Sequence, residues 1–129
     1  EATNLEERGR LYNNYAATDS RGLCPSGWHV PSKAEFESLS SFLTPDPGKK
    51  LKASQQDVPD WDGDNTSGFS AIPAGYRFPD GTFDSEDRTA FWTSGPDDLV
   101  LQPGNDNTQM FKPGLNYGLS VRCLKDSDQ

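Results

Sequence analysis

Two cysteines, Cys24 and Cys123, stand near the two ends of this 129-residue chain, 99 positions apart. A bond between them would close a loop of about 100 residues. On the chain-entropy account that would stabilise the fold by roughly 4–5 kcal/mol. With a single histidine, His29, the cysteines fall short of the four ligands a structural zinc requires. A disulfide is the stronger reading, and it implies an oxidising compartment. Two unconnected thiols in a reducing compartment remain the alternative.

A covalent tie matters here because aliphatic side chains are scarce. Val occurs four times, Ile once, and hydrophobic residues make up only 32 % of the chain. Three Trp, four Tyr and seven Phe compensate, since each aromatic ring buries a large area. Twelve Gly and ten Pro are spread along the chain. The expectation is one domain of short elements, long loops and an aromatic core.

The net charge of −8 disfavours nucleic acid and anionic lipid surfaces, which need a basic footprint. Apolar runs such as Leu99-Val100-Leu101 are far too short to insert into a membrane. Beginning at Glu1 without a visible signal peptide, the sequence reads as a processed or excised segment. The polar tails, Glu1 to Glu7 and Lys125 to Gln129, are expected to fray.

Residues 10–17 fit a short strand. Ser32-Lys33-Ala34-Glu35 is a capping box, and Phe36, Leu39 and Leu43 follow at helical spacing with Phe42 beside them. A helix over about 33–43 should stop before Pro45, and Pro47-Gly48 opens a short second helix through Ala53. Gln55 to Ser67 is a polar loop. Phe69, Ala71, Tyr76 and Phe78 lie in strand-like pattern, and Pro79-Asp80-Gly81 turns the chain back through Thr82-Phe83 as a hairpin. Arg88 to Ser94, Leu99 to Leu101 and Gln109 to Phe111 are further strands, and Tyr117 to Leu124 is the last. A helical region followed by a strand-rich one is an α+β layout, without the βαβ rhythm of a nucleotide fold.

Four segments in order, Gly22-Leu-Cys-Pro-Ser-Gly-Trp-His-Val-Pro-Ser32, Gly68-Phe-Ser-Ala-Ile-Pro-Ala-Gly-Tyr-Arg77, Phe91-Trp-Thr-Ser94 and Gly118-Leu-Ser-Val-Arg-Cys123, closely resemble the Fibrobacter succinogenes major paralogous domain. Gly9-Arg10-Leu11-Tyr12 and Lys50-Leu51-Lys52 match its flanking pieces, so the resemblance covers residues 9–126 of a single module spanning 1–129. It implies a C-type-lectin-like fold related to that of the formylglycine-generating enzymes: one main helix, a short helix and a twisted antiparallel sheet with long loops. It further implies an exported bacterial module at the outer cell surface, often joined to a lipoprotein or larger surface protein. The family as a whole has no established activity. The resemblance also implies that the two terminal segments pair in one sheet, which would bring Cys24 and Cys123 within reach.

Enzyme chemistry finds little support. Formylglycine-generating enzymes use a redox-active cysteine pair, whereas both cysteines here fall on motif positions that are structural. A Cys24–His29 nucleophile pair is conceivable from spacing, but His29 sits in the lead-in to the helix and reads as structural. A glycosidase needs two carboxylates at a set separation, and the sequence singles out no pair among its acids. The expectation is no catalytic residue.

Binding is the better expectation. Asp60, Asp62 and Asp64 share the 1, 3, 5 spacing of a calcium loop, with Asp57 and Asn65 nearby. Asn65 and Ala71 occupy its sixth and twelfth positions, so it is no EF-hand, and calcium stands as an option. Trp28 and Trp92 lie within family motifs and are expected in the core. Trp61 leans the same way but also counts among candidate ligand residues, with Asn105, Asp106, Asn107, Gln109, Phe111, Asn116 and Tyr117. Loops held by a rigid scaffold carry recognition. The expectation is a non-catalytic module binding an extracellular glycan or surface protein through residues 57–66 and 97–117. A structural spacer or display domain is the alternative, and a hydrolase or thiol oxidase a more distant one. Asn65-Thr66-Ser67 fits the N-glycosylation pattern, which carries no weight in a bacterial chain.

Overall fold

The computed structural model describes residues 10–84 and 87–127. Within 10–17, expected as a strand, only Tyr12 pairs, in an isolated antiparallel bridge to Leu119. Asn13 then caps a one-turn helix, α1 (Asn14–Ala17), its side chain accepting from the Ala16 amide at 2.9 Å. The amide side chain overrides the apolar pattern because it satisfies a free N–H of the helix start.

Strand β1 (Trp28–His29) leads into helix α2 (Lys33–Phe42). The capping box closes as expected. The Ser32 hydroxyl accepts from the Glu35 amide at 3.1 Å, and the Glu35 carboxylate accepts from the Ser32 amide at 2.8 Å. Phe36 is buried, with Leu39 and Leu43 packed beside it, while Phe42 points outward at 84 % exposure. Helix α3 (Pro47–Leu51) packs against α2 and ends two residues short of the expected Ala53.

The main sheet consists of β2 (Thr89–Trp92), β3 (Asp98–Leu101) and β4 (Gln109–Phe111), antiparallel in that order with β4 outermost. Thr89 pairs with Leu101 and Phe91 with Leu99 on one side of the sheet; Ala90 pairs with Val100 and Trp92 with Asp98 on the other. Both sides are covered, so every residue of β2 and β3 is buried. One core gathers Phe36, Leu51, Ala53, Trp61, Ala71, Phe91, Leu99 and Leu101; the other gathers Ala17, Ala90, Trp92, Val100 and Leu119. The Trp92 indole N–H, wholly buried, donates to the Tyr12 carbonyl at 2.7 Å.

The Pro79-Asp80-Gly81 turn forms: the Phe78 amide donates to the Thr82 carbonyl at 2.8 Å, and Arg77 bridges Phe83. The last strand is not the continuous element expected over Tyr117 to Leu124. Gly118 bridges Arg77, Leu119 bridges Tyr12 and Ser120 bridges Phe91, so the segment changes partner at each residue and no regular ladder develops. Only Leu124–Lys125 forms a strand, β5, antiparallel to β1. Lys125 is therefore paired rather than frayed. The tail residues 1–7 and 128–129, and Gly9 of the matched motif, lie outside the described residues.

Trp28 departs from its expected core position. It lies in the two-residue β1–β5 ribbon, beside which no further strand lies among the described residues, and is 44 % exposed. Just outside this ribbon Cys24 and Cys123 are bonded, with Cα atoms 5.9 Å apart. Among the described residues no helix is long and apolar enough to cross a membrane. The bond closes nearly the whole chain, so Cys24→Ala/Cys123→Ala should lose about 3–5 kcal/mol of unfolding free energy in urea titrations compared with the oxidised protein.

Candidate functional site

Lys52 follows α3 directly and is flanked by buried Leu51 and Ala53, so its side chain enters the interior and is wholly shielded from solvent. The Nζ donates to the Gln102 carbonyl at 2.9 Å and the Asn105 carbonyl at 3.0 Å, and pairs with Asp62 Oδ1 at 2.8 Å. It also lies 5.4 Å from the centre of the Trp61 ring. Three oxygens replace the water an ammonium would otherwise hold, which is what makes its burial tolerable. The other Asp62 oxygen accepts from the Gly104 amide at 2.6 Å. Burial pushes the Asp62 carboxyl up, but the Lys52 ammonium and the Gly104 amide outweigh it and hold the group below its ordinary value.

These bonds bring the 57–66 loop and residues 102–105 together. The next turn is fixed from below: the Lys49 amide donates to the Asp106 carbonyl at 3.2 Å, and Asn105 Oδ1 accepts from the Asn107 amide at 2.9 Å. Gly48 is needed for this approach, because a Cβ there would collide with the Asn107 carbonyl. Beside this platform runs a groove of about 500 Å³, lined by Ser40, Ser41 and Thr44 from the end of α2 and the residues after it, by Pro45, Asp46 and Pro47, and by Asn107 and Thr108. The Thr108 hydroxyl donates to Ser40 Oγ at 3.0 Å and ties these two segments together.

The candidate ligand residues divide. Asn105, Asp106 and Asn107 sit on the platform above α3, with Asp106 and Asn107 exposed. Trp61 is only 8 % exposed and packs under Lys52 in the core, so it offers no face to a ligand. Gln109 is half-buried in β4, with its Oε1 unpaired among the described residues. Phe111 is exposed at the end of β4. Asn116 is exposed, and Tyr117 packs edge-on with Phe78 and near Tyr76. No hydrogen bond or ring contact among the described residues joins this second group to the platform.

Nor do the three calcium candidates converge. Asp62 serves Lys52 and Gly104, Asp64 accepts from the Thr66 amide at 3.0 Å, and Asp60 is exposed. Nearby Asp57 is engaged by Ser54 and Asn65. Among the described residues no three acidic, His or Cys side chains form a metal-holding group. The spacing places alternate residues of a loop, and Asp62 and Asp64 have each found their own donor instead.

Two other titratable positions are perturbed. His29 accepts or donates between Asp126, at 2.6 Å from Nδ1, and Glu35, at 3.0 Å from Nε2. The Asp126 and then the Glu35 hydrogen bonds hold its pKa above the ordinary value. This bracing joins α2 to the residue after β5, in agreement with a structural histidine rather than a partner for Cys24, which is bonded to Cys123. Asp98 is 4 % exposed; burial pushes its carboxyl up to about 7, although Oδ1 accepts from the Phe111 amide at 3.1 Å.

The geometry defines an α+β domain closed end to end by a disulfide, with a loop platform anchored on a buried lysine. The sequence model of the Fibrobacter succinogenes major domain matches residues 1–125, and the chain belongs to that family. Comparison with curated proteins and with solved structures yields no match.

Lys52 was not visible as a functional position. The hints were its place in the matched Lys50-Leu51-Lys52 piece and a lysine set between Leu51 and Ala53. Lys52→Met keeps the stem but strands three oxygens, and should cost about 2–4 kcal/mol in urea unfolding, with faster hydrogen exchange at the Gly104 amide. For Asp98 the folded pKa lies above the ordinary value of 3.8, so the folded state holds the proton more tightly. Stability from this group is full below about 4 and falls as pH rises through about 7. Asp98→Asn keeps the acceptor for Phe111 and should be more stable than wild type at pH 8 by on the order of 3 kcal/mol, with the difference vanishing towards pH 4 in paired urea titrations.

Proposed function

We propose that this chain is an exported, non-catalytic recognition module with a C-type-lectin-like fold that binds extracellular glycan through the groove beside the platform. The observation that carries this reading is the groove itself: about 500 Å³, lined by hydroxyl, amide and carboxylate side chains set among a larger apolar surface that includes Pro45 and Pro47, and neighboured by loops that Lys52 and Asp62 hold in place. Polyhydroxylated ligands are recognised by such convergent oxygens and amides, and a braced loop loses little freedom on binding. The disulfide supports an oxidising, extracellular location at the bacterial surface. Attachment to a lipoprotein or larger surface protein is part of the same reading. A surface protein ligand would use the same face.

A glycan array probed with the purified domain tests this directly. Ser41 and Asn107 are exposed and line the groove from separate segments, so Ser41→Arg and Asn107→Arg should each cut retention at least about tenfold without altering the melting temperature. Retention on no glycan and no surface protein would replace this reading with that of a spacer or display domain.

A further inference from the structure

A second concavity lies elsewhere on the molecule. The chain brings Arg10 and Tyr12, residues 70–74, β2 and residues 120–122 around one cleft of about 320 Å³. Its topology follows from three isolated bridges: Tyr12 pairs with Leu119 and Ser120 with Phe91, as described, and Gly75 pairs in parallel with Thr89. Ile72, Phe91 and Val121 supply apolar walls, while Ser70, Ser120 and Tyr12 supply hydroxyl-bearing side chains.

Two features mark this cleft as built for a ligand. Thr89 lines it, is wholly buried, and its Oγ1 has no hydrogen-bond partner among the described residues. A buried hydroxyl left unpaired is costly, and native folds rarely leave one so without reason. The second feature is charge. In a chain of net charge −8, the cleft carries two arginines, Arg10 and Arg122, and neither forms an ion pair among the described residues. Arg122 lies over the Phe69 ring at 4.0 Å and donates one N–H to the Phe69 carbonyl at 2.8 Å. That holds the guanidinium in place and leaves further donors of its planar fork available.

We propose that this cleft binds a small ligand consisting of a carboxylate on an apolar body, with the carboxylate held by Arg10 and Arg122 and a polar group of the ligand paired to Thr89 Oγ1. A planar guanidinium matches a carboxylate in a two-bond geometry. Apolar walls with a few convergent polar groups are the usual form of a small-molecule pocket, and the cleft volume lies at the small end of such pockets. The shared chemistry is found in a free aryl or alkyl acid and in the C-terminal residue of a peptide. The site is independent of the groove proposed for glycan.

Acetyl-phenylalanine, acetyl-phenylalanine amide and glucuronate, titrated into the labelled oxidised domain and followed by NMR, form the test. Acetyl-phenylalanine should shift the resonances of Thr89, Ser120 and Arg122 saturably, with a Kd of about 0.5 mM. The amide and glucuronate should bind at least about tenfold more weakly, the first lacking the charge and the second the apolar body. Thr89→Val removes the hydroxyl at constant shape; it should keep or raise the melting temperature and weaken binding about fivefold or more. Arg10→Gln, at an exposed position, should weaken binding about tenfold in a fully folded protein. A tripeptide ending in Phe that binds more tightly than 3-phenylpropionate identifies a peptide terminus as the source; the reverse order identifies a free acid. The proposal is overturned if no probe saturates by about 10 mM, if acid and amide bind alike, or if both variants keep wild-type affinity.

Discussion

An ammonium cut off from water must find its solvation inside the protein, and in this fold that requirement organises a whole face. Lys52 takes two carbonyls from residues 102 and 105 and a carboxylate from residue 62, segments that have no regular secondary structure of their own. Long loops ordinarily retain much freedom. Here they are drawn onto a single charged centre, and the Trp61 ring packs beneath it. The pair is valuable less for net energy than for position, since a buried ion pair seldom improves on a hydrophobic replacement but is costly to break.

The main sheet plays the complementary part. Its central strands are covered on both sides, which lets a chain poor in aliphatics build two small cores from one set of strands. Phe91 and Leu99 face the core that supports the lysine platform; Trp92 and Val100 face the one that holds the N-terminal turn. The aromatic rings supply area that Val and Ile do not, as with Phe69 set edge-on to Phe91 at 5.6 Å. The same two-residue alternation brings Thr89 to the side of Phe91, next to the arginine-lined cleft.

Local chemistry was legible in the sequence wherever it decides structure by itself. The capping box at Ser32, the turn at Asp80-Gly81, the three strands of the main sheet and the α+β layout all follow from short-range patterns. The cysteine bond was legible because only one pairing exists. Long-range partners were not. Residues 117–124 alternate as a strand should, yet three neighbours compete for them, and alternation carries no information about which will win. Asn13 and Asn14 outweighed the apolar run around them. Trp28 resembled a core tryptophan, but nothing local states that its ribbon stops at two strands. In the site, Asn107 is legible as a candidate ligand residue and the 57–66 loop as the partner of residues 97–117, whereas the lysine that holds 57–66 to 102–105 is not.

The outermost strand of the sheet has a consequence for life at high concentration. β4 spans three residues and is followed at once by Lys112 and Pro113. Among the described residues its outer backbone pairs with no further strand, and it offers a template on which another chain could polymerise. Brevity limits the registry such an invader could establish, the cation repels a second copy laid alongside at that point, and the imino acid withholds the next donor. Solubility is thus protected at the margin of the sheet by a few residues that contribute nothing to its interior.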